Sequence, residues 1–140
     1  MFTFLATLCA GLFSGAAAFI SLVEHWARLQ AGPAVGLVEF HLGFTRARAM
    51  QASLAVSTAF FAAIAWLGGR GATWLLVAVL FVGVVGFTVL RIQPVYERIL
   101  DPSLTAESPE ALPLLREWGR LHHVRSVLGF LAFLLAVAAR

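Results

Sequence analysis

The residues best suited to chemistry lie at the start of the last apolar run of the chain. The stretch EWGRLHHVRS, residues 117–126, holds a carboxylate, an indole, two histidines and two arginines. On a helix, Trp118, His122 and Arg125 share one face, whereas His123 points about 100° away from His122. A histidine can transfer a proton near neutral pH, and an arginine can stabilise a developing anion. This spacing predicts a site in which His122 is the first candidate for a base or a ligand and His123 is the alternative.

Further polar side chains stand at the ends of the other apolar runs. They are Glu24 and His25 after the first run, Gln51 at the start of the second, and Gln93, Tyr96 and Glu97 after the third. Glu24 can pair with Arg28 one helical turn later. An unpaired Arg125 or Glu97 in lipid would cost several kcal/mol, so we expect Arg125 to face the bundle and pair with Glu24, Glu97 or Glu117. The alternative is that these residues form an ion-pair network with a purely structural role, a clamp that only fixes helix packing.

A bound metal ion is the other chemistry that these residue types allow. The candidate ligands are His25, His122, Glu24 and Glu97, because helical bundles build metal sites from Glu and His on facing helices. The Glu-x-x-His, HxxxH and HExxH spacings are absent from the sequence, and so is a paired CxxC. The sequence therefore leaves the cofactor open between none and a single metal ion.

The composition indicates which elements must hold these residues. Of the 140 residues, 61% are hydrophobic and only 12% are charged, against about 25% charged in an ordinary soluble domain. Four apolar runs, at about 2–23, 51–67, 72–90 and 118–139, are candidate transmembrane helices, since about 20 apolar residues cross the hydrocarbon core. We predict one all-α domain over residues 1–140, a polytopic membrane protein with a four-transmembrane-helix bundle and short interfacial helices.

The last run can cross a membrane only if its helix begins near Trp118. Residues 126–139 would span about 21 Å, whereas a helix from Trp118 reaches about 33 Å and brings its polar groups below the interface. The second and third runs are joined by GGRG, residues 68–71, a turn that makes them a helical hairpin. After a break at AGP, residues 31–33, the stretch 34–44 predicts a short interfacial helix.

The arginines predict the orientation of the chain. Eight of the ten lie on the side of the two long connections, and only Arg70 and Arg140 lie on the other side. The positive-inside rule therefore predicts cytoplasmic connections and periplasmic termini in a bacterial inner membrane. The arginines form no basic run, which excludes nucleic acid as a partner. The expected partners are membrane lipids and a lipophilic small molecule, with a membrane-protein partner or a homo-oligomer left open. The GxxxG motif at residues 11–15 favours helix packing within the bundle over dimerisation.

Four motifs, in this order, resemble those of the DUF1772 family, the anthrone-oxygenase-like small integral membrane proteins with four helices. They are GLFSGAAAFISLVEHWARL at the end of the first helix, RAMQ entering the second, QPVYERIL after the third and WGRLHHVRS entering the fourth. The resemblance covers nearly the whole chain. By position it implies roles for Glu24, Gln51, Pro94, Trp118, His122 or His123, and Arg125. The family often has Asn-His where this chain has His122 and His123, and Asn near Tyr96 and Glu97.

The resemblance implies a membrane oxidoreductase or monooxygenase that acts on a lipophilic, anthrone-like substrate in a pocket at the cytoplasmic end of the bundle. A base would form the carbanion of the substrate, which reacts with oxygen. The candidate catalytic residues are His122, His123, Arg125, Glu24 and Glu97, and the candidate substrate-binding residues are Trp118, Gln51, Gln93 and Tyr96. The alternative is a non-catalytic membrane subunit that stabilises a larger complex or binds a lipid, quinone or pigment.

Overall fold

The structure, a computed structural model, describes residues 1–139, and all regular structure within this range is helical. The helices are α1 (Phe2–Phe19), α2 (His25–Gln30), α3 (Gly32–Leu67), α4 (Ala72–Phe87), α5 (Gln93–Ile99) and α6 (Ala111–Ala138). Two π-helical turns, Ile20–Glu24 and Thr88–Ile92, join α1 to α2 and α4 to α5 without interrupting the helical path. Arg140, which the orientation prediction uses, lies outside the described residues.

Within the described residues, four continuous helical stretches are long and apolar enough to cross a membrane, which confirms the predicted fold class. They are Phe2–Gln30, Gly32–Leu67, Ala72–Ile99 and Ala111–Ala138. The chain is therefore an integral membrane protein built as a helical bundle.

Two of the connections between these stretches are sharp reversals of the chain without a long loop. Both reversals depend on glycine. Gly32 has φ +83° at the break between α2 and α3, and Gly69 and Gly71 have φ +77° and +96° between α3 and α4. These left-handed conformations are strained for other residues, so AGP and GGRG end the helices where the sequence indicates.

The predicted short helix at residues 34–44 is not a separate element. It is the first part of α3, which runs for 36 residues from Gly32 to Leu67. The residues between Phe44 and Gln51 include no glycine or proline, so nothing in the backbone stops the helix where the hydropathy falls.

Small residues let the spans approach closely in the half of the bundle near the termini. Ala6, Ala65 and Ala136 belong to one buried core there, and Met1 lies beside the Gly68–Arg70 turn. Gly129 of α6 accommodates the Phe13 ring, which would lie 2.5 Å from a Cβ at that position. Gly11 of the GxxxG motif faces Phe133 of α6. This part of the bundle is mainly apolar, whereas the charged residues collect at the other end.

Candidate functional site

Two π-helical turns face each other across the polar end of the bundle. Ile20 and Glu24 of the first turn and Thr88 and Ile92 of the second line the same cavity. A π-helical turn holds one more residue than an α-helical turn, so it changes which side chains beyond it face the bundle. These turns therefore determine which residues of α2 and α5 face the interior of the bundle.

The cavity between these turns measures about 40 Å³. This volume holds a few water molecules at most. Six of the sequence-predicted site residues contribute to its wall: Glu24, Gln51, Tyr96, Trp118, His122 and Arg125. Four separate helical stretches thus bring together side chains that are up to about a hundred positions apart in the sequence.

His122 is held in one orientation by hydrogen bonds on both ring nitrogens. Its Nε2 lies 2.8 Å from an Nη2 atom of Arg125, and its Nδ1 lies 2.9 Å from the Ser21 hydroxyl. A guanidinium can only donate hydrogen bonds, so Nε2 must be the accepting nitrogen and Nδ1 carries the proton of the neutral ring. The Ser126 hydroxyl, 3.0 Å from that of Ser21, donates to the backbone oxygen of His122. Arg125 therefore fixes the tautomer, and the two serines hold the ring in position.

Arg125 is buried, with 9% of its surface exposed, and it makes no ion pair with any carboxylate in residues 1–139. It donates hydrogen bonds to Gln51 Oε1 and to His122 Nε2, and its guanidinium lies 5.4 Å from the centre of the Phe13 ring. The expectation that Arg125 pairs with Glu24, Glu97 or Glu117 is wrong, because an amide and an imidazole take that place. A buried cation without an anionic partner is costly, and the site therefore has an excess of positive charge.

Three buried hydrogen-bond donors on the wall of the cavity have no acceptor among residues 1–139. They are Gln51 Nε2, Arg125 Nε and Trp118 Nε1. Gln51 is only 2% exposed and Trp118 only 4%. Each buried donor without a partner costs about 1–3 kcal/mol, and such groups are rare in folded proteins. Their concentration at one cavity indicates a site for an acceptor-rich group.

Arg28 contrasts with Arg125, because two carboxylates compensate its charge. It bonds Glu24 Oε1 at 2.7 Å and also contacts Glu39 Oε2. Its Nη1 lies 3.1 Å from His25 Nδ1. The i,i+4 pair of Glu24 with Arg28 is thus present, and Glu24 is committed to a structural ion pair at the edge of the cavity.

Aromatic rings form the rest of the wall around Trp118. The His122 ring stacks on Trp118 at a centroid distance of 4.7 Å, and Phe40 meets Trp118 edge-on at 5.1 Å. Tyr96 accepts a hydrogen bond of 3.0 Å from Arg48 Nη1 and packs against Phe44 at 4.5 Å. This space, called the polar cavity below, is therefore walled by aromatic rings and a few convergent donors, as small-molecule sites commonly are.

Two sequence-predicted catalytic residues lie away from the cavity. Glu97 is exposed and accepts a hydrogen bond of 2.7 Å from Gln93 on the outer face of α5, and His123 is exposed on α6. Each stands next to an inward-facing residue, Tyr96 or His122, and is turned away from it by about 100°. Gln93 does not line this cavity but a neighbouring recess between α3 and α4.

The candidate metal ligands do not form a metal site. Within residues 1–139 no group of three or more His, Cys, Asp or Glu side chains is placed to hold a metal ion. Glu24 is paired with Arg28, and Glu97 lies on the outer face of α5.

Several residues of the site were not predicted as functional from the sequence. Ser21 and Ser126 orient His122, and Arg48 and Phe40 complete the wall. Ser126 lies one helical turn after His122, so its position on the same face was readable from the helical period. For Ser21 the π-helical turn prevents such a reading.

A family model described as anthrone oxygenase matches residues 40–135. The match includes Gln51, Tyr96, Trp118, His122 and Arg125, whereas Glu24 lies before it. No curated protein and no solved structure matches the chain.

Proposed function

The chain belongs to the anthrone oxygenase family, and on that premise we propose that it oxidises a lipophilic aromatic ketone whose CH₂ group can lose a proton. The observation that carries the proposal is the buried guanidinium of Arg125. It has no anionic partner among the described residues, and it stands among donors that have no acceptor. A ligand carbonyl would satisfy these donors, and the oxyanion that develops from it would also compensate the charge.

The proposed reaction begins with loss of a proton from the CH₂ group that is conjugated through the rings to the carbonyl. The resulting carbanion, an enolate in its other resonance form, forms a carbon–oxygen bond with dioxygen. The peroxide anion takes up a proton. Loss of the second C–H proton then breaks the O–O bond and releases water, so that R₂CH₂ and O₂ become R₂C=O and H₂O. Dioxygen is the oxidant throughout, and the ketone is oxidised by four electrons.

His122 is the base in this proposal. Its Nε2 atom is the nitrogen that can accept a proton, and Arg125 covers that atom in the structure. A ligand oxygen that takes the Arg125 hydrogen bond would uncover Nε2, so substrate binding itself would free the base. The proton on Nδ1 stays with Ser21, which keeps the ring in place while Nε2 accepts the substrate proton and later returns it to the peroxide.

The experiment measures anthrone oxidation by the protein in liposomes, with empty liposomes as the control for spontaneous oxidation. We expect one anthraquinone formed for each dioxygen consumed. Because a positioned general base contributes about 10²–10⁴-fold in rate, His122→Gln should lower the rate by at least about a hundredfold. His41→Gln is the matched control, since His41 is exposed and bonds only its own helix backbone. Activity that depends on His123 and not on His122 would contradict the assignment of the base.

A non-catalytic role is the second candidate, and the small cavity volume favours it. At about 40 Å³ the polar cavity does not hold an aromatic ring as it stands, so a clamp that fixes helix packing accounts for the same contacts. A wild-type protein that binds anthraquinone without accelerating anthrone oxidation would support a binding subunit. Failure to bind any such ketone would support the view that these residues only fix the packing of the helices.

A further inference from the structure

A recess between α3 and α4, with a volume of about 210 Å³, adjoins the polar cavity. Its walls are mainly apolar and include Ala52 and Ala55 of α3, Val84 and Val85 of α4, and Val89 of the second π-helical turn. Ala55 is buried at the base of the recess, whereas Ala52 and Val89 are exposed at its edge. In an integral membrane protein an exposed apolar edge between two spans faces lipid, so the recess is open to the bilayer.

The recess and the polar cavity are adjacent and share part of their walls. The shared residues are Arg48, Gln51, Thr88, Tyr96 and Arg125. Gln51 and Arg125 therefore stand at the boundary of the two spaces, and both have a buried donor without an acceptor. A molecule lying in the recess can reach these donors with one oxygen atom while its apolar body stays between the helices.

The volumes decide which of the two spaces can take a ring system. An apolar cavity of about 150 Å³ binds benzene, so the polar cavity of about 40 Å³ is too small for one ring, whereas the recess of about 210 Å³ holds one ring and is open to the bilayer for the others. The alanines are the reason for this room, because a larger side chain at position 52 or 55 would project into it.

We infer that the recess is the binding site for the ring system of the ligand, which enters from the bilayer between α3 and α4, and that Ala52 and Ala55 limit the size of the rings accepted. The inference rests on the proposed function for the identity of the ligand as an aromatic ketone. Its carbonyl oxygen contacts Gln51 and Arg125, and its outer rings replace lipid against Val85 and Val89. Its central ring lies at the boundary of the two spaces, so that the CH₂ group reaches His122 Nε2 once Arg125 has turned to the carbonyl oxygen. These two alanines are specificity-determining residues with no part in the chemistry.

The test is equilibrium binding of radiolabelled anthraquinone, which has three fused rings, and of radiolabelled 1-tetralone, which has two. The protein is held in lipid nanodiscs, and binding to empty nanodiscs is subtracted. We expect Ala52→Leu to raise the Kd for anthraquinone at least about tenfold and to change the Kd for 1-tetralone much less. Ser53→Leu is the matched control, because Ser53 is exposed on the same helix but does not line the recess. Val89→Trp, at a lipid-exposed position on the opposite wall of the recess, should also raise the Kd for anthraquinone.

Two outcomes separate failure of this inference from failure of the proposed function. If Gln51→Leu weakens both ligands while Ala52→Leu and Val89→Trp act no differently from Ser53→Leu, the polar site stands and the recess is not where the rings bind. If Gln51→Leu leaves the binding of both ligands unchanged, or if the wild type binds neither, the ketone site itself is wrong and the inference falls with it.

Discussion

Gly119 lies directly against the His25 ring, and its replacement by alanine tests how α2 packs on α6. A Cβ at position 119 would lie 1.9 Å from His25 Nε2 and 2.4 Å from Cδ2, whereas real Cβ atoms essentially never come within 3.0 Å of another atom. The ring would have to move by more than 1 Å. It is not free to do so, because His25 is 7% exposed, bonded to Arg28 at 3.1 Å and packed on Trp118 at 5.3 Å.

The cost of Gly119→Ala follows from these contacts. Overpacking of a tight site costs about 1–3 kcal/mol, and loss of a hydrogen bond to a charged group costs about 1.5–3 kcal/mol. The better helix propensity of alanine returns at most about 1 kcal/mol. We therefore expect the free energy of unfolding to fall by about 3 kcal/mol.

The assay is unfolding in mixed detergent micelles, followed by circular dichroism. Gly83→Ala is the matched control, since Gly83 is also helical and a Cβ there meets nothing within 4 Å. It should leave the protein unchanged or slightly more stable. The double variant Gly119→Ala/His25→Ala should recover part of the loss, because the new methyl group then has space. If Gly119→Ala unfolds like Gly83→Ala, the packing of α2 on α6 is not as described.

Three further predictions concern the polar site and the orientation. Arg125→Met and Gln51→Leu should each leave a buried partner unpaired, so their effects on stability should be coupled by about 1.5–3 kcal/mol in a double-mutant cycle. If the two effects add to within about 0.5 kcal/mol, the two side chains are not in contact. Arg125→Met should let the His122 ring populate both neutral tautomers, because Nε2 then no longer faces a group that can only donate, and an unchanged ¹⁵N spectrum of that ring would show that Arg125 does not fix it. A C-terminal alkaline phosphatase fusion should be active in the bacterial periplasm, given the split of eight arginines against two; strong activity of a cytoplasmic reporter would reverse the orientation without affecting the four spans.

The four apolar helices and the two tight turns between them were readable from the sequence, because they depend on the length of apolar runs and on glycine. The same reasoning extended the last helix back to Trp118, and the structure carries it further, to Ala111. The sequence wrongly predicted a separate helix at residues 34–44. Hydropathy indicates whether a helix faces water or lipid, but it does not indicate where the backbone hydrogen bonds of the helix end. α3 therefore continues as one helix through the fall in hydropathy.

The helical period placed His122 and Arg125 on one face and paired Glu24 with Arg28, as the structure has them. It did not place Tyr96 inward and Glu97 outward, because the π-helical turn before α5 has no marker in the sequence and changes the face that follows it. The partner of Arg125 could not be predicted either. Charge alone favours a carboxylate, and only the three-dimensional packing shows that Gln51 and His122 occupy that position.

The infrared carbonyl band of bound anthraquinone tests most directly whether Arg125 and Gln51 bind a ligand oxygen. The measurement compares ¹³C-carbonyl and unlabelled anthraquinone, in difference spectra of the protein in nanodiscs. We predict a second carbonyl band at lower frequency than that of anthraquinone in lipid alone, because a charge-assisted hydrogen bond weakens the C=O bond, and we predict that Arg125→Met removes it. A single band at the lipid position in the wild type, under conditions where the ligand is bound, would contradict the account.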